Sequence, residues 1–133
     1  MLTCLALAAF SVASLADIPK MTAGIEAEAR MLAAEADLNA DLVARVEAFS
    51  EDALNLSAAL RQSGVGQDMP CVFQGIAQDA RERAAEFSAA DSQAERDAAF
   101  MNLRVLMNDT VLIAPMAAAA AADRAEQRDI SLN

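Results

Sequence analysis

The chain has no histidine, tryptophan or tyrosine, and among its 133 residues only three are proline, four glycine and two cysteine. Each scarcity excludes something. Without imidazole, the commonest metal ligand and the commonest general base near neutral pH are both missing. Glu-x-x-His di-iron sites, Ser-His-Asp triads and Cys-x-x-Cys-His haem attachment therefore cannot be built. Glycine is too sparse for a phosphate-cradling loop: Gly64-Val65-Gly66 lacks a third glycine and a preceding strand pattern. β-Branched residues never run longer than two, and no stretch alternates polar with apolar. Alanine and leucine dominate instead, with glutamate, arginine, methionine and glutamine among the rest, all good helix formers. The fold class expected is all-α.

What is present begins with an uncharged apolar run from Leu2 to Leu15, closing on Ser14-Leu15-Ala16 before Asp17. Small residues at 14 and 16 suit a signal peptidase, so residues 1–16 read as a cleaved export signal. No lysine or arginine precedes the run. A retained anchor, a first helix of the bundle and a lipidated Cys4 are the rival readings. The run is shorter than the ~20 residues that span a bilayer. Cleavage removes Cys4 and leaves residues 17–133 as one helical-bundle domain, periplasmic or secreted.

Every charged residue lies in that part, which therefore carries the full net charge of −10. Such a field disfavours nucleic acid and anionic lipid and favours a cationic protein partner. An acidic balance also simply keeps an exported protein soluble.

Periodicity and caps divide the chain into four helices. Thr22 is expected to cap a first helix reaching about Ala36, with Ile25 and Leu32 on one face and Met31 beside them. Asn39 caps a second helix, unless the first continues into it. Leu42, Val46, Phe49, Ala53, Leu56 and Leu60 step by alternating fours and threes, the seam of a helix packed at a shallow angle on its neighbours. Gly64 and Gly66 end it. Asp68 to Pro70 opens a third helix whose core face is Phe73, Ile76, Ala80, Ala84 and Phe87. Ser92 with Glu95 fits a capping box for the fourth. That helix shows Phe100, Leu103, Leu106, Met107 and Ile113 before Pro115, where a kink is expected. Residues 129–133 are expected to fray. Short connections favour an antiparallel, up-down four-helix bundle. A long helical hairpin in a homodimer is the alternative.

Three further constellations yield to plain readings. Asp37 to Asp41 imitates the start of a calcium loop, but Leu42 stands where glycine is required and Ala48 where a glutamate is. The pairs Glu47–Glu51, Glu82–Glu86 and Asp91–Glu95 sit among arginines, as on a solvated helix surface. Met31, Met101 and Met107 read as adaptable core fillers. Met69-Pro70-Cys71 places a thioether and a thiol at a helix start, a weak soft-ligand site for Cu(I). After cleavage Cys71 is the domain's single cysteine, lying where a helix dipole favours thiolate. It is either a reactive thiol forming an intermolecular disulfide, a soft ligand, or a small packed residue.

The chain is thus expected to be a non-catalytic protein without a cofactor, working by protein–protein interaction in a bacterial-type envelope. A possible homodimer is included among its associations; nucleic acid is not, nor any membrane beyond the signal segment. A carrier of a small ligand, soft metal or cofactor between the helices is the alternative.

Overall fold

The computed structural model describes residues 14–132, and most of the proposed signal segment lies outside them. The described residues hold four helices: α1 (Ile18–Ala33), α2 (Ala40–Gln62), α3 (Asp68–Ala89) and α4 (Gln93–Ser131). They form a helical bundle around one hydrophobic core. Contacts run in a ring, with α1 and α3 each touching α2 and α4.

The first boundary corrects the sequence reading. α1 begins at Ile18, not after Thr22, with Pro19 in its first turn, where a missing N–H costs nothing. Thr22 is buried within the helix, and its hydroxyl donates to the Pro19 carbonyl at 2.9 Å. Just before it, the Asp17 carboxylate accepts from both the backbone N–H and the hydroxyl of Ser14. These hydrogen bonds hold the Asp17 carboxyl below the usual range. The helix stops at Ala33 rather than Ala36, so α1 and α2 are separate. Asn39 is the cap: its side chain accepts from the Leu42 N–H at 2.8 Å.

All six residues of the α2 seam are buried, as are all five expected on α3. The α2 exit is a Schellman arrangement. The Val65 N–H reaches the Leu60 carbonyl, the Gly64 N–H reaches that of Arg61, and Gly64 supplies the positive φ of 75°. Leu60 and Val65 are both buried, which closes the apolar side of the motif. An L-residue at such a φ is strained by about 1–2 kcal/mol. A Cβ on Gly64 would also meet the Arg124 guanidinium at 3.2 Å. Gly64→Ala should therefore lower unfolding free energy by about that strain, read from the shift of a urea midpoint at unchanged slope.

Alanine explains how a chain so poor in aromatics fills a core. Ala29, Ala53, Ala77, Ala80, Ala84, Ala99, Ala114, Ala117 and Ala121 are all buried, and small residues let helix axes approach closely. The approach of α2 to α3 is close enough for side chain to reach backbone. Buried Ser50 donates to the Ala77 carbonyl at 2.7 Å, and Ser57 to that of Pro70 at 2.6 Å.

The capping box at α4 forms as expected: Ser92 accepts from the Glu95 N–H, and Glu95 accepts from the Ser92 N–H. Helix runs on through Pro115, which is exposed. One expectation about α4 is corrected: the helix continues to Ser131 instead of fraying from Asp129. Asn133 lies outside the described residues. Two arginines of α4 also serve other helices: Arg104 donates to the Glu35 carbonyl beyond α1, and Arg128 to the Ser63 carbonyl at the end of α2.

Candidate interaction surface

Cys71 and Met69 fall in the first turn of α3, and both are half-buried. Pro70 between them is buried, with its carbonyl occupied by Ser57. Among the described residues no group of three or more Cys, Asp or Glu side chains converges as a metal site would require. Asp37 and Asp41 are exposed on either side of the Asn39 cap.

The acidic surface is organised by a few arginines. Arg45 on α2 bridges to α1, contacting Glu28 at 3.0 Å and Glu35 more closely. Its guanidinium pKa is raised, chiefly by the Glu35 contact. Arg83 lies between Glu82 and Glu86 on α3, while Glu47 and Glu51 stand exposed on α2. Asp52 is less well served. Desolvation, followed by the charges of Glu51 and Glu28, pushes its carboxyl above the usual range. A carboxyl whose folded pKa exceeds its unfolded one destabilises the fold as pH rises through that window, and the cost persists at neutral pH. Asp52→Asn should therefore stabilise at pH 7 by a few tenths of a kcal/mol, solvent screening keeping it small. The gain should vanish near pH 3, as paired thermal melts at the two pH values would show.

A groove of about 290 Å³ lies between α2 and α3, where Arg61 and Arg81 meet Gln74 and Gln78 above Ser57. Its volume is at the lower edge of small-ligand sites.

The feature that the sequence reading missed is the outer face of α4. Met31 and Met101 are not core fillers: they are 53% and 67% exposed, and only Met107 of that trio is buried. With Met101 stand Val105, Leu112 and Met116, at 57%, 72% and 55% exposure. At 100° per residue these four fall within about 60° of helix arc. The inner face of the same helix presents Ala99, Leu103, Met107, Thr110, Ala114, Ala117 and Ala121 to the core. Phe100, Leu106 and Ile113, expected in the core, are half-buried at its margins. Phe100 packs edge-on against Phe87 at 5.0 Å and lies under the Arg104 guanidinium.

By length and composition α4 could cross a membrane: an 18-residue window has mean hydropathy 1.5, with 28% of it buried in the fold. Helices of soluble cores pass the same test, and here one face of α4 completes a core. Apolar residues exist on both faces, so periodicity alone gave no way to tell the inner from the outer. No family model, curated protein or solved structure matches this chain.

Proposed function

We propose that this is an exported, non-catalytic acidic bundle that acts by binding another protein chain through the outer face of α4. The observation that carries the reading is the row of four large apolar side chains left in solvent on a helix whose opposite face is fully used. Isolated exposed apolar residues are ordinary, but an aligned row of them marks an interaction surface.

Export is supported by the position of the fold's start. Ile18, two residues beyond Ala16, is fully buried in α1, so a cut after Ala16 leaves all four helices whole. Leu15 packs partly against the core. An up-down helix order is supported by the hydrogen bonds between helices. Ser50 with Ala77 and Ser57 with Pro70 run α2 and α3 in opposite senses. Arg104 joins the start of α4 to the end of α1, and Arg128 joins its end to the end of α2. The envelope of a bacterial-type cell is the compartment this reading assigns.

The test is site-specific photocrosslinking in the producing cell. A crosslinking residue replaces exposed Leu112, and in a control it replaces Glu47 on α2, which is also exposed. A defined protein adduct at 112 and none at 47 is expected. No protein adduct at 112, or adducts with lipid alone, would overturn the reading.

A further inference from the structure

We infer that the occupant of the α4 face is a second copy of this chain, docked antiparallel across a two-fold axis between Asn108 and Asp109. The inference rests on the protein-binding reading above and names its partner.

Symmetry is the first argument. Reversing the helix about that midpoint exchanges Met101 with Met116, Val105 with Leu112, and Ala98 with Ala119. A two-fold interface must be self-complementary, with residue i meeting j and j meeting i. This row satisfies that demand with a matched apolar pair at each level. Exposed Asn108 lies beside the axis, where a polar residue within an apolar seam fixes register.

Charge is the second. From Ala98 to Ala122 the helix carries only Arg104 and Asp109, which balance, in a chain of net charge −10. Two copies repel one another over most of their surfaces, and this neutral strip is where they meet without that penalty. A cationic protein gains nothing from a neutral strip and is drawn to the acidic faces instead. Lipid is disfavoured because Asp109 sits at the middle of the apolar stretch, where a bilayer core charges about 2.5–3.5 kcal/mol for it.

The seam from Ala98 to Ala119 is about 32 Å long and one helix wide. That places it among small, reversible interfaces rather than obligate ones.

Sedimentation velocity on the full processed chain tests the pairing with charge swaps. Wild type should sediment increasingly as a dimer as chain concentration is raised, the behaviour of a small reversible interface. Val105→Glu alone and Leu112→Lys alone should each weaken the dimer at least tenfold, roughly the loss of one central anchor. The double variant should recover most of that loss, because each glutamate then meets the partner's lysine. Both positions lie in solvent, and circular dichroism should match wild type for all three variants.

A monomer at every concentration would overturn the inference, as would single variants that dimerise like wild type. A double variant weaker than either single would mean parallel pairing and would overturn it too. So would a chain that stays monomeric while floating with phosphatidylethanolamine–phosphatidylglycerol vesicles. The crosslink at 112 separates the two levels: an adduct with a different protein removes only the homodimer, whereas no protein adduct removes both.

Discussion

Phe49→Ala should cost about 3–5 kcal/mol, the range for a fully buried phenylalanine cut back to a methyl group. Phe49 is 1% exposed, and it and Phe73 are the two largest of the fully buried side chains. Its surroundings cannot easily collapse to fill the gap. The buried positions on α1, α3 and α4 include many alanines, which have no rotamers with which to reach inward. Natural domains hold about 5–15 kcal/mol in total, so the variant should be partly unfolded at modest urea concentrations. Urea denaturation followed by far-ultraviolet dichroism measures the loss, with Phe100→Ala as the companion. Phe100 is only half-buried and should cost clearly less; equal costs would show that the core is not centred on α2 and α3.

The second large effect has the opposite sign. Pro115 sits inside α4 and is exposed. An interior proline lacks the N–H that would bond the carbonyl four residues back, here Val111, and its ring presses on that same carbonyl. The intrinsic penalty against alanine is about 3 kcal/mol. Because the ring faces solvent, little packing is lost on substitution. Pro115→Ala should therefore stabilise the protein by about 1–3 kcal/mol, the local backbone having already relaxed around the proline. The urea midpoint should rise at unchanged slope. A fall in the midpoint would mean that a bend at this residue is what brings Ala117 and Ala121 onto the core.

The contrast between these residues shows where sequence was readable. Phe49 belongs to a seam that stands out because α2 has polar or charged residues between its apolar ones. The Asn39 cap and the Ser92–Glu95 box were readable for a similar reason, since each joins a specific side chain to a specific backbone donor. Around Pro115 no such contrast exists. Residues 111–122 are apolar on every face apart from the proline, so neither a core side nor a helix end is marked. That is why the exposure of Leu112 and Met116 was not foreseen.

Ser50 and Ser57 were missed for another reason. They are polar, yet they belong inside because a neighbouring helix backbone comes near enough to accept their hydrogens. The only hint was positional: each follows an apolar seam residue, Phe49 or Leu56, at heptad spacing. Asp17 and Thr22 show the same difficulty at a helix start. Thr22 is a plausible cap, but Ile18 before it is already buried in the helix, and the Asp17 side chain turns back to Ser14 instead of capping.

One consequence of the Arg104 and Arg128 hydrogen bonds concerns the order of synthesis. The segment that ties down the carbonyls at the ends of α1 and α2 is made after both of those helices. Until then the nascent polypeptide lacks one wall of its core and cannot lock, since pairing residues nearly seventy positions apart must wait for both. The first three helices are therefore held only loosely until α4 has been made, and the core closes in one late step.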